Sequence, residues 1–179
     1  LIAILNQHDK LSKTNIINHD ILKFNLSSLG LNNLIVIGNI PYNITSPIIF
    51  WLVDHFNSWD RAYLMVQKEL AERLTAKIGT KDYSRITVMT GLYFDINISF
   101  LISPNVFLPK PKVQSAFIEI IKKDNSYYKD INLKSFDQIV RMAFNQRRKM
   151  LRNSLSSLSI DIKNCSVDFT KRPEQLTIE

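Results

Sequence analysis

The chain has 179 residues and a mass of 20.8 kDa, enough for one domain or for a domain with part of a second. Its content of 45% hydrophobic and 22% charged residues excludes a disordered tail, a collagen-like repeat or a disulfide scaffold, and no run of 18 apolar residues offers a membrane-spanning helix. The net charge is +7 and it is localised: between Lys110 and Arg152 eleven basic residues stand against four acidic ones, while the remainder balances. A neutral body with one basic segment points to a polyanion partner, nucleic acid ahead of membrane, with a merely solvated basic surface as the alternative. The lone Cys165 has no partner for an internal disulfide, which predicts a reducing compartment, with a bacterial cytoplasm as the default location. The sequence opens on Leu1 with no signal peptide, so the expectation is that it begins inside a longer protein.

The first 120 residues alternate short apolar runs with helical patterns, as α/β proteins do. Asn15–Asn18 reads as a short strand ending at His19-Asp20. Leu34–Ile37 is an apolar, β-rich run of the kind expected in a buried parallel strand, and it stops at Gly38-Asn39. Thr45 or Ser46 followed by Pro47 marks a helix start, which predicts a largely buried helix over Ile48–Phe56. Ala62–Val66 is a further strand candidate, followed by a helix from Lys68 to about Lys77. Ile96–Ile102 and Val113–Ile121 complete the predicted strands, joined through the proline-rich stretch Pro104–Pro111.

From about Asn125 the pattern becomes purely helical. Val140, Phe144, Leu151, Leu155 and Leu158 form one apolar stripe over Phe136–Leu158. Arg141, Asn145, Arg148 and Arg152 follow at i, i+4, i+7 and i+11, which predicts a basic face on the same helix. The expected division is an α/β unit over residues 1–124 and a small all-α domain over 125–179.

The segment that carries chemistry is Gly38-Asn39-Ile40-Pro41-Tyr42-Asn43, placed directly after the apolar strand, at the sheet edge where α/β folds bind ligands. Such a motif suits methylation of an exocyclic amine on a base. That amine is a poor nucleophile, because its lone pair is delocalised into the ring. The Asn39 side-chain oxygen and the Ile40 carbonyl can accept its two hydrogens, aim the lone pair and stabilise the positive charge that develops. Pro41 fixes its own φ and restricts Ile40, and Tyr42 offers a ring on which an extruded base can stack. The simpler reading is a strand-ending turn, which also favours Asn and Pro.

Four further segments stand in order with this motif. They are Val66-Gln67-Lys68-Glu69 with Ala71-Glu72-Arg73-Leu74, the Phe107–Ser115 loop (Phe-Leu-Pro-Lys-Pro-Lys-Val-Gln-Ser), Ala143–Lys149 continuing through Leu151–Leu155, and Arg172-Pro173-Glu174-Gln175-Leu176. With Asn39-Ile40-Pro41-Tyr42 they make the sequence resemble the small-subunit ribosomal RNA adenine dimethyltransferases, the kasugamycin-resistance family, along nearly its whole length. The resemblance implies a Rossmann-like class I methyltransferase core, lacking its N-terminal strands, followed by the helical domain. It implies S-adenosylmethionine as methyl donor and, as substrate, two adjacent adenosines near the 3′ end of 16S-type rRNA in the small ribosomal subunit, with no membrane and no metal, acting as a monomer.

Carried over by motif, Asn39 and the Ile40 carbonyl would hold the amine and Tyr42 would stack on the adenine, with Phe107 as the second flanking aromatic. Asp20 would contact the adenine of the cofactor, to which Asn39 would also lie close; by itself Asp20 reads as a helix or turn cap. Lys110, Lys112, Arg147, Arg148, Lys149 and Arg152 are the candidate RNA contacts, although Arg147 and Arg148 point about 100° apart on a helix. His8, His19 and His55 share no ligand spacing with Cys165, so no metal site is expected.

Two departures from the family stand out. The glycine-rich cofactor loop is absent, since Gly30, Gly38, Gly79 and Gly91 are unpaired, and Leu1–Leu5 looks like the helix just beyond the ribose-binding acid. The expectation is therefore that the chain alone binds S-adenosylmethionine weakly or not at all. Ser84 replaces the usual glycine of a Tyr-Gly-Arg run. Competing readings are a non-catalytic ribosome assembly factor and a large-subunit rRNA methyltransferase of the macrolide-resistance type.

Overall fold

The computed structural model describes Leu5 and residues 14–124, 131–158 and 165–178. The predicted helix at Leu1–Leu5 therefore lies outside these residues save for Leu5.

A four-stranded sheet of order β1-β2-β4-β3 forms the centre: β1 (Leu34–Asn39), β2 (Trp59–Gln67), β3 (Phe94–Ile102) and β4 (Ser115–Lys122). β1 and β2 are parallel, joined by the crossover helix α1 (Thr45–Asp54), whereas β4 pairs antiparallel with both β2 and β3. The sheet is thus mixed rather than parallel. The reason is the Pro104–Pro111 connection, which folds β3 and β4 into a hairpin with no crossover helix between them.

β1 is also less buried than its apolar run suggests. Among the described residues it stands at the edge of the sheet with alternating burial, and Ile35 and Ile37 are 63% and 73% exposed. Among the described residues α1, α2 (Lys68–Leu74) and α3 (Arg85–Gly91) are the helices beside this sheet, and the opposite face carries Ile35, Ile37, Tyr63, Met65, Phe100 and Phe117 in half-buried or exposed positions. The predicted strand at Asn15–Asn18 is irregular and pairs with none of the described strands.

The main core lies between helices and sheet. It holds Ile48, Ile49, Trp51 and Leu52 of α1 against Ala62, Leu64 and Val66 of β2 and Ala116, Ile118 and Ile120 of β4. α1 is buried because it is apolar along most of its length, and Pro47 lies in its first turn, where no intrahelical N–H bond is lost. Two indole N–H groups anchor it: Trp59 donates to the Leu52 carbonyl at 2.8 Å and Trp51 to the Phe24 carbonyl at 2.9 Å. The helix after β2 ends at Leu74, earlier than its pattern indicates.

Sequence reading gave no helix at α3. Its β-branched residues weaken helix propensity, but Thr87 and Thr90 place their hydroxyls on the Arg73 and Ile86 carbonyls at 2.6 and 2.7 Å. Ser84 caps this helix: its N–H donates to the Thr87 hydroxyl at 2.9 Å, and its φ of −149° needs no glycine.

The single helix expected over Phe136–Leu158 is broken. α4 spans Leu133–Asn145, a turn follows, and α5 is one turn over Leu151–Ser154. The first free N–H groups of α5 are satisfied from downstream, Leu151 by the Lys171 carbonyl at 2.9 Å and Arg152 by the Phe169 carbonyl at 3.1 Å. The apolar stripe divides accordingly. Val140 and Phe144 join Tyr83, Val88 and Met89, while Leu151 and Leu155 pack with Ala143 and Phe169.

Candidate active site

β1 ends at Asn39, and the chain turns through Ile40-Pro41 into a single 3₁₀ turn over Tyr42–Ile44 before α1 begins. Gly38 is favoured here by space rather than by backbone angle. A Cβ at this position would stand 3.0 Å from Leu64 Cδ2 and 3.1 Å from Ile40 Cγ2, well inside normal carbon contact. The glycine therefore lets β1 lie close on β2, where Asn39 is in register with Met65.

Two adjoining clefts open at this end of the sheet. One, of about 190 Å³, is lined by Asn39, Ile40, Pro41, Tyr42, Met65, Phe107, Pro109 and Pro111. The other, of about 380 Å³, is bounded by Ile37, Gly38, Asn39, Phe100, Val106 and Phe117 among others, and shares Asn39, Met65 and Phe107 with the first. The structure thus brings together Asn39, Ile40, Pro41, Tyr42 and Phe107, as the motifs predict. Asn39 is exposed, while Tyr42 and Phe107 are half-buried. Among the described residues, no Asp, Glu, His, Lys or Arg lines either cleft. An apolar slot with one amide and two rings suits a flat heterocycle carrying an amine.

Asp20 is elsewhere in role. It is exposed and caps the 3₁₀ turn Ile21–Lys23, accepting from the Leu22 N–H through Oδ1 at 3.0 Å, and it lines neither cleft. Its second carboxylate oxygen has no partner among the described residues, so a cap and an acceptor for an amine are compatible in it.

The basic candidates separate into two groups. Lys110 and Lys112 are exposed on the loop that forms one wall of the smaller cleft, and Arg148, Lys149 and Arg152 are exposed around the break between α4 and α5. None of these five has a salt-bridge partner among the described residues. Arg147 differs, because it turns inward. It donates to the Lys81 carbonyl and to the Thr80 carbonyl (2.7 Å), and its Nε lies 3.8 Å from Glu174. Because the helix breaks after Asn145, Arg141, Asn145, Arg148 and Arg152 do not share one helical face. The Glu174 that Arg147 faces belongs to the Arg172–Leu176 segment, whose backbone is tied to the same loop: Gly79 N–H donates to the Glu174 carbonyl at 2.7 Å and Tyr83 Oη to the Leu176 carbonyl at 3.1 Å. Burial raises the Tyr83 phenol above its ordinary pKa.

Met65, Phe100, Phe117 and Ser115 complete the surroundings of the site and escaped sequence reading as individual residues. The first three come from strand register, which sets Met65 beside Asn39 and Phe117, and Phe117 beside Phe100. Ser115 was visible only as the last residue of the Phe107–Ser115 segment.

Comparison with known proteins gives the family. Residues 1–168 match the family model described as ribosomal RNA adenine dimethylase. The chain belongs to this family. Among its relatives, the ribosomal RNA small subunit methyltransferase A of Flavobacterium johnsoniae is 40% identical over 169 residues, a match covering 93% of this chain and 64% of that protein. A crystal structure of a dimethyladenosine transferase from Plasmodium falciparum superposes with a TM-score of 0.67 at 27% identity, covering 92% of this chain and 64% of the other. The 23S rRNA methyltransferase ErmE, at 23% identity and a TM-score of 0.65, shares the fold, covering 93% of this chain and 72% of its own. The Rossmann-like methyltransferase fold is therefore established for the family member described here, and the chain spans just under two thirds of the first of these relatives.

Proposed function

We propose that this chain carries the base-binding part of an S-adenosylmethionine-dependent enzyme that dimethylates the exocyclic amines of two adjacent adenosines near the 3′ end of 16S-type rRNA, during small-subunit biogenesis. The observation that carries the reading is the meeting of Asn39, Ile40, Tyr42 and Phe107 in one small apolar cleft at the carboxyl end of β1. In it, the adenine lies between the Tyr42 and Phe107 rings. The Asn39 amide oxygen and the Ile40 carbonyl accept the two amine hydrogens, so the nitrogen becomes pyramidal and its lone pair is drawn out of conjugation with the ring. Two fixed dipoles then face the positive charge as it develops, and with no Asp, Glu, His, Lys or Arg lining the cleft among the described residues the proton is left to water.

The residues present fit part of a cofactor site. Asn39 and Asp20 would hold S-adenosylmethionine, which when bound supplies an electrophilic methyl group on a sulfonium. Residues 1–124 form the catalytic part in this reading and 125–179 the RNA-binding part. Lys110, Lys112, Arg148, Lys149 and Arg152 contact phosphate, with Arg147 serving instead to hold the loop at residues 80–81. No metal, no membrane and no second copy of the chain take part, and the place of action is the bacterial cytoplasm.

The test uses the full-length protein, S-adenosylmethionine labelled in its methyl group and unmethylated small ribosomal subunits. Dimethyladenosine at two adjacent positions, lost in Asn39→Ala, is the expected result. Tight binding to subunits without label transfer would replace the enzyme with an assembly factor.

A further inference from the structure

The Tyr42 hydroxyl is 2.6 Å from Oγ of Ser115, a residue 73 positions away in sequence. Ser115 is completely buried. As the first residue of β4 it is in register with Gln67 on one side and Ile102 on the other, so its backbone sits in the middle of the sheet. The preceding carbonyl, of Gln114, accepts from the Lys68 N–H at 2.9 Å, which adds the start of α2 as a third restraint.

Tyr42 is the reverse case. It lies in a one-turn 3₁₀ segment secured by Ile44 N–H on the Pro41 carbonyl (3.1 Å), and its ring is only half-buried beside the cleft. A ring in that position can swing about two side-chain torsions. A hydrogen bond at its far end removes that freedom more effectively than contact along its edge would. The same strand start also ends the loop that carries Phe107, so one anchor point sets both walls of the cleft.

We propose that Ser115 is a positioning residue for methyl transfer: its hydroxyl fixes the tilt of the Tyr42 ring, and with it the plane in which the target base is held. This rests on the function proposed above. Ser115 touches neither base nor cofactor in this scheme, and acts only through Tyr42. Reactions that need a near-attack geometry lose rate steeply with displacements on the order of 1 Å.

The test is a double-mutant cycle in the full-length protein, measuring kcat and KM for unmethylated small subunits. Ser115→Ala and Tyr42→Phe remove the same hydrogen bond from opposite ends. Each is expected to lower kcat by about tenfold with KM for the subunit unchanged, since the basic residues that bind RNA are untouched, and the double variant is expected to be no slower than the slower single one. A wild-type kcat in either folded single variant would overturn the proposal, and so would effects that multiply to about a hundredfold in the double variant. If Ser115→Ala fails to fold, Tyr42→Phe alone decides, because it keeps the ring and deletes only the hydroxyl. Absence of label with the wild-type protein would instead count against the function proposed above.

Discussion

Replacing Gly38 by alanine probes the closeness of β1 and β2 at the point where the motif begins. The added methyl would face Leu64 Cδ2 at 3.0 Å and Ile40 Cγ2 at 3.1 Å, where carbon atoms prefer about 3.5–4.0 Å. Leu64 is 1% exposed, so it has little room to retreat. Overpacking of this kind costs about 1–3 kcal/mol. Alanine returns about 0.5–1 kcal/mol through the smaller conformational freedom of the unfolded chain, because Gly38 has no positive φ that a side chain would strain. The net expectation is a loss of about 1–2 kcal/mol. With a urea slope of about 2 kcal/mol/M, the denaturation midpoint should fall by about 0.5–1 M with the slope unchanged. Ile40 is the softer of the two neighbours, and its movement would carry the carbonyl assigned to the target amine, so methyl transfer by the full-length Gly38→Ala protein should drop more than stability alone explains. A midpoint equal to or above that of the unaltered chain would refute the steric argument.

Arg147 and Arg148 are adjacent and should behave oppositely. Arg147→Ala should lower stability by about 1–2 kcal/mol, a figure discounted because the side chain is 31% exposed, whereas Arg148→Ala should stay within about 0.5 kcal/mol and instead weaken subunit binding with a shallower salt dependence. Urea denaturation and filter binding over a salt series separate the two, and equal effects of both substitutions in either assay would contradict the assignment. The raised pKa of Tyr83 predicts loss of stability at alkaline pH. The unfolded chain ionises first, near pH 10, so the contribution is complete below that value and disappears as pH climbs toward the folded-state pKa. The decline of stability above pH 10 should be shallower in Tyr83→Phe, and an unchanged slope would argue against burial as the cause.

The parts legible in the sequence were those governed by local pattern. β1, the turn at Asn39–Tyr42, α1 and the proline-rich loop each carry their own signals in apolar runs, Gly, Pro and cap residues. What escaped depended on distant partners. Periodicity continues smoothly from Val140 to Leu158, so nothing local announces that Lys171 and Phe169 will supply carbonyls at Leu151 and Arg152 and allow a break. Arg147 reads as one more surface charge until the loop at Thr80-Lys81 is folded beneath it. The strand expected at Asn15–Asn18 has suitable residues but no described neighbour to pair with. Within the site, the motifs named Asn39, Tyr42 and Phe107, yet the hydroxyl that holds Tyr42 comes from across the sheet and has no local signature.

The outer edge of β1 bears on how the cleft is bordered. Among the described residues it pairs only with β2, and its other side is where a further strand of the sheet would join. The strand Leu-Ile-Val-Ile-Gly-Asn contains no lysine, no proline and no bulge of the kinds that discourage a second strand from adding there, apart from an irregularity at Leu34/Ile35. Two neighbouring isoleucines on its open face add apolar contact to any such addition. A strand on this side of β1 would run alongside Asn39, so whatever covers the edge also borders the mouth of the cleft.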